Sequence, residues 1–125
     1  MTWYLSKDIT FDSAHFLRDY NGKCANMHGH TYKVKLTIKV KELDDRGIGV
    51  DFGKMKEFLN EIKEKYDHKL LNELNEYAYE NATAENMSKN IFNEAKEYFK
   101  DNENIKVYAV KVWETPTSCA KYVED

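Results

Sequence analysis

Residues 28–42 alternate. His28, His30, Tyr32, Val34, Leu36, Ile38 and Val40 share one parity, and Lys33, Lys35, Thr37, Lys39 and Lys41 take the other. A period of two is the signature of a strand with one apolar face, so the stretch predicts a long strand. Residues 3–15 repeat the pattern more loosely: Trp3, Leu5, Ile9, Phe11 and His15 share a parity that Lys7 and Ser13 interrupt. From 53 to 66 the spacing changes to three and four. Met55, Phe58, Leu59, Ile62 and Tyr66 then form one stripe of a helix, with Asp51 placed as its cap or as a substrate-binding carboxylate. A second helix is predicted over 84–100, capped by Thr83, with Met87, Ile91, Phe92, Ala95, Tyr98 and Phe99 as its buried stripe. Residues 105–113 and 118–123 read as strands around the turn Thr115-Pro116-Thr117. Asp44 to Gly47 reads as a turn, followed by a short extended return over Ile48 to Phe52. Residues 67–82 read as irregular, with Asn72, Asn75 and Asn81 as breakers. The element order ββααββ predicts an α+β fold, a four-stranded antiparallel sheet with two helices on one face, as a single domain over 1–125.

Composition narrows the function classes. The chain has 125 residues, 42% hydrophobic and 33% charged, with one proline and five glycines. That is the composition of a folded chain, not a disordered one. A formal net charge of −3 argues against a general nucleic-acid surface. No apolar run reaches membrane-span length. The N-terminus enters the alternating pattern at once and does not read as a signal peptide. Two widely spaced cysteines without an export signal predict reduced thiols and a cytoplasmic location, rather than a Cys24–Cys119 disulfide.

The chemistry gathers at one stretch, Cys24-Ala25-Asn26-Met27-His28-Gly29-His30. His28 and His30 are two apart and project to the same face of a strand. His15 ends the first strand on its apolar parity. If the two strands pair antiparallel, the three imidazoles meet at one edge of the core. Three neutral imidazoles suit zinc at about 2.0–2.1 Å each, with a fourth position open for chemistry. A closed site with Cys24 as fourth ligand, and histidines that merely start a strand, stay open as alternatives. Near a dication the Cys24 thiol would ionise more readily and suit a base or nucleophile. His68, beside Asp67, is a candidate general acid/base or a plain surface histidine. Glu114, at the end of the third strand, either meets solvent or accepts two hydrogen bonds from an amidine-like ring edge. Cys119 reads as a packing residue.

Taken together, Phe11-Asp12-Ser13-Ala14-His15, Cys24-x-x-x-His28-Gly29-His30-x-Tyr32, Val50-Asp51-Phe52, Asp67-His68-x-x-Leu71-Asn72, Asn81-x-Thr83-x-Glu85 and Glu114-Thr115 resemble the 6-pyruvoyltetrahydropterin synthase superfamily over nearly the whole chain. Within it, the chain is most similar to the 6-carboxytetrahydropterin synthases of the queuosine (7-deazaguanine) pathway. Ala82 stands where a proline is common, and Tyr66 where a leucine often precedes Asp-His. The resemblance implies a tunnelling (T-)fold whose sheets join into a barrel in the oligomer. It implies zinc on His15, His28 and His30, Cys24 as base, Asp67 and His68 as its acid/base partners, Glu114 as the pterin anchor, and Thr83 near the ring. It also implies a homo-oligomer, a hexamer built as a dimer of trimers with sites at subunit interfaces. The implied reaction takes a pterin triphosphate, 7,8-dihydroneopterin triphosphate, to 6-carboxytetrahydropterin with release of acetaldehyde and triphosphate. Two alternatives stand beside it: a 6-pyruvoyltetrahydropterin synthase or other pterin lyase, and a non-catalytic binding module whose zinc is closed off by one cysteine and three histidines.

Overall fold

The computed structural model describes all 125 residues, Met1 to Asp125. Its elements run β1 (Trp3–His15), β2 (His28–Val40), α1 (Phe52–Tyr66), α2 (Ala84–Tyr98), β3 (Ile105–Thr115) and β4 (Ser118–Tyr122). The four strands form one antiparallel sheet in sequence order, leaving β1 and β4 as its edges. Antiparallel neighbours joined by short connections give this order naturally; only the β2-to-β3 connection carries the two helices.

The alternation of β2 becomes burial. Tyr32, Val34, Leu36, Ile38 and Val40 are all essentially inaccessible and pack under the helices. From α1, Met55, Phe58, Leu59, Ile62 and Tyr66 face them, the stripe the spacing predicts. Five such side chains bring on the order of 10 kcal/mol of gross apolar burial, set against the entropy of ordering the helix. Asp51 caps α1 by accepting from the Gly53 amide at 2.8 Å. Thr83 Oγ1 caps α2 by accepting from the Asn86 amide at 3.1 Å.

Several boundaries differ from the sequence reading. Strand β2 stops at Val40, and β3 runs on to Thr115. Residues Ile48 to Val50 form no strand. The Asp44 carboxylate accepts from the amides of Arg46 (2.8 Å) and Ile48 (3.0 Å) and closes a tight loop. Gly49 lies against Val40: a Cβ on it would come within 2.6 Å of Val40 Cγ2, so that backbone has no room for an ordinary side chain. Helix α2 ends at Tyr98, which is 39% exposed instead of buried, its hydroxyl donating to Glu57 at 3.3 Å. Ser88 takes a buried place on that face and donates to the Glu85 carbonyl.

Candidate metal centre

The register of β1 on β2 builds the site. His15 lies opposite His28, and Ser13 opposite His30. Cross-strand partners share a face, so the three imidazoles leave the same side of the sheet as the core, just past the end of its apolar rows. His15 is 1% exposed, and His28 and His30 are half-buried. One ligand atom from each falls within 4.8 Å of the others.

The hydrogen bonds fix where the protons are. His15 Nδ1 lies 2.8 Å from the Ala82 carbonyl and His28 Nδ1 2.7 Å from the Asn26 carbonyl. A carbonyl oxygen only accepts, so both rings carry their proton on Nδ1. Their Nε2 lone pairs then face each other at 3.0 Å. His30 Nε2 is buried without a hydrogen-bond partner. Glu114 Oε1 approaches the same point, 3.3 Å from His15 Nε2 and 3.5 Å from His30 Nε2. The lone pairs of His15 and His28 and a carboxylate oxygen converge in this corner beside His30 Nε2, and a cation among them relieves their repulsion. Protons are a poor candidate for that cation: burial, ahead of all else, pushes both His15 and His30 below the ordinary imidazole value, despite the opposing pull of Glu114. Neutral imidazoles with oriented Nδ1–H groups are the form that binds a metal ion, and the residues fit one.

Cys24 lies outside this convergence. It sits half-buried in the 3₁₀ turn Lys23–Ala25, and its sulfur is not among the clustered ligand atoms. The geometry therefore favours a three-histidine site over one closed by Cys24.

Asp67 and His68 form a second station. Asp67 follows α1, and its carboxylate accepts from the Asp12 amide at 3.0 Å and meets His68 Nδ1 at 3.0 Å. The Asp12 amide, then His68, holds the Asp67 carboxyl below the usual carboxylate range. His68 has a left-handed backbone, φ 57°, uncommon for a non-glycine residue. It is held there because its amide donates to the Asp12 carbonyl while the Ala14 amide donates to the Lys69 carbonyl, so the segment runs along the edge of β1. The His68 side chain is 79% exposed. It borders a surface hollow of about 550 Å³ together with Asp12, Ser13, Ala14, Gly29, His30 and Thr31, so one metal-site histidine shares that hollow.

The supports of the site are less visible in sequence. Asn72 reads there as a breaker, yet its amide brackets Phe16, accepting from its N–H and donating to its C=O, both at 3.0 Å. Asn81 does the same for Arg18 at 2.8 and 3.1 Å. The two side chains act as a partner strand for residues 16 and 18. The Arg18 guanidinium in turn donates to the carbonyls of Tyr77, Glu80 and Asn72. This clamp holds the chain beyond His15 to the segment whose Ala82 carbonyl orients the His15 ring. The hint in the sequence was that Asn72 and Asn81 each adjoin an apolar residue that is buried, Leu71 and Ala82. The Tyr32 hydroxyl lies 3.3 Å from His15 Nδ1, and burial, then Glu114, pushes its phenol far up.

Known proteins resemble this chain in sequence and in fold. The sequence profile of the family described as 6-pyruvoyl tetrahydropterin synthase matches residues 4–125. The 6-carboxy-5,6,7,8-tetrahydropterin synthase of Bacillus subtilis is 38% identical over 125 residues, covering 94% of this chain and 83% of that protein. The enzyme of the same name from Haemophilus influenzae is 32% identical, covering 96% and 98%. Among solved structures, the 6-pyruvoyl tetrahydropterin synthase of Caenorhabditis elegans superposes with a TM-score of 0.88 at 24% identity, over 100% of this chain and 97% of that one. That likeness speaks to the fold, and the sequence matches go further: this chain belongs to the 6-pyruvoyl tetrahydropterin synthase family.

Proposed function

We propose that the protein is a zinc-dependent 6-carboxy-5,6,7,8-tetrahydropterin synthase of 7-deazaguanine (queuosine) biosynthesis. It takes 7,8-dihydroneopterin triphosphate and water to 6-carboxytetrahydropterin, acetaldehyde and triphosphate. The observation that carries the reading is the convergence of His15, His28 and His30, with the Nδ1 protons of His15 and His28 tied down, in a chain whose relatives bear that enzyme name. Zinc on those three nitrogens supplies Lewis acidity toward the side-chain oxygens of the substrate.

The protein groups do the rest. Cys24 removes a carbon-bound proton from the side chain. His68, oriented by Asp67 at 3.0 Å, carries protons to and from the ring carbon and the side-chain oxygens. Glu114 accepts the paired N–H donors of the pterin edge, and its place beside the histidines brings that ring next to the metal. Thr83 caps α2 and follows Ala82, whose carbonyl accepts from His15, which supports a role for it near the ring. Departure of triphosphate drives elimination, and addition of water followed by carbon–carbon cleavage leaves the carboxylate.

The protein works as a homo-oligomer in the cytoplasm, a hexamer formed as a dimer of trimers whose sheets join into a barrel. Two features support sites shared between subunits. The His68 side chain is 79% exposed, open to a group from another chain. The strands at both sheet edges also offer backbone groups for pairing. The deciding experiment is turnover of the purified, zinc-loaded protein with 7,8-dihydroneopterin triphosphate, read by mass spectrometry. Acetaldehyde with the carboxy product is the expected result. A pyruvoyl product without acetaldehyde would move the protein to the sister activity, and no turnover at all would refute the reading.

A further inference from the structure

The face of the sheet turned away from the helices is unusually basic. Lys33, Lys35 and Lys39 stand on it from β2, Lys106 and Lys111 from β3, and Lys121 from β4, each at a strand position alternating with the buried ones. The register sets them against one another. Lys35 lies directly opposite Lys111, Lys111 opposite Lys121, and Lys39 opposite Lys106. None of the six takes part in an ion pair. Asp8 is opposite Lys35 but makes no such pair, and Asp12 accepts from Thr31 instead.

Like charges directly opposed across strands cost stability. Protection of sheet edges explains lysines on edge strands, but Lys35 and Lys111 are on the two central strands. Composition does not force the pattern either, since the chain holds 22 acidic against 19 basic residues. A positive field kept at this cost is fitted to an anion. The row Lys35–Lys111–Lys121 crosses three adjacent strands, and at roughly 4.8 Å per strand it spans about 10 Å, which suits a linear, multiply charged ligand. Aromatic rings hold part of it in place: Lys33 and Lys111 lie 4.5 and 4.7 Å from the Trp113 ring, and Lys121 lies 5.5 Å from that of Tyr108. With two ammonium groups on it, the Trp113 ring is no free platform for stacking a nucleic-acid base.

We propose that this lysine row is a binding site for a short linear inorganic polyphosphate, triphosphate being the probe of choice, on the sheet face opposite the histidine cluster. The proposal stands apart from the turnover proposed above. It is tested by calorimetric titration of the protein with sodium tripolyphosphate, in zinc-loaded and metal-stripped form, because the ligand itself binds divalent ions. Expected are binding to both forms, weakening as salt rises from about 50 to 300 mM, and much poorer binding of orthophosphate. The variant K35Q/K111Q/K121Q should lose roughly tenfold or more in affinity, while K54Q/K56Q/K63Q on the exposed face of α1 should lose none. Circular dichroism and bound-zinc content should be unchanged in both; should the triple variant fold poorly, K111Q alone must still weaken binding. The proposal falls if the wild type does not bind, if binding vanishes with the metal, if the α1 variant loses as much as the row variant, or if a thymidine oligonucleotide binds more tightly than tripolyphosphate.

Discussion

Asn72→Ala should be among the more damaging single changes outside the apolar core. Asn72 is 9% exposed and gives both of its side-chain bonds, each 3.0 Å, to the backbone of Phe16. Alanine cannot replace either. Each bond is worth about 0.5–1.5 kcal/mol net, and a peptide N–H and C=O left unpaired in a half-buried place add desolvation cost. The sum is about 2–3 kcal/mol, a large part of the roughly 5–15 kcal/mol that holds a domain of this size together. Urea denaturation reads it directly: the midpoint should fall by about 1 M or more, with the slope unchanged. Asn72→Asp should be no better, because it keeps the acceptor but sets a second anionic oxygen against the Phe16 carbonyl. In combination with Asn81→Ala the losses should not add, since both side chains clamp residues 16–18 and releasing one frees the other. The same variants should weaken zinc binding roughly tenfold or more in a chelator competition, because the clamp delivers the Ala82 carbonyl to His15. A loss under about 0.5 kcal/mol, with zinc affinity intact, would mean that water replaces the amide and the clamp positions nothing.

Four further outcomes follow from the site. His68→Ala should keep fold and zinc but abolish turnover; full activity would remove His68 from the chemistry. Cys24 should alkylate with zinc bound, and Cys24→Ala should retain zinc while losing activity; protection by the metal would make the thiol a ligand. Glu114→Gln should weaken substrate binding, measured by titration of the pterin, and unchanged affinity would refute the anchor. Asp67 has its carboxyl lowered in the folded protein, by the Asp12 amide first and His68 second. Its stabilising contribution is therefore present above the unfolded value of about 4 and is lost as pH falls through the lower folded value. Asp67→Asn should consequently melt at lower temperature near neutrality and show a shallower acid limb; parallel melting curves from neutral to acid pH would contradict this.

Much of the architecture was legible because single rows of side chains carried it. The alternation over β2 and the three-and-four spacing of α1 each name their buried face residue by residue. The convergence of His15, His28 and His30 follows from parity plus antiparallel pairing, two local facts. What escaped the reading depends on contacts between distant segments. Asn72 and Asn81 look like breakers because their partners, Phe16 and Arg18, are 56 and 63 residues away. Tyr98 has the right spacing for the core, yet it lies where α2 runs out and its hydroxyl finds Glu57 at the surface. Ile48 to Val50 has strand-like composition but no strand beside it, since Asp44 ties the loop to itself.

The order of the strands bears on how the protein is handled. The chain enters β1 at Trp3 and leaves β4 at Tyr122, so the first and last strands are also the outermost ones. A fusion joined directly before Trp3 or after Tyr122 would therefore adjoin an outer strand of the sheet. Purification handles belong behind a cleavable spacer, and measurements of subunit number are best made after its removal.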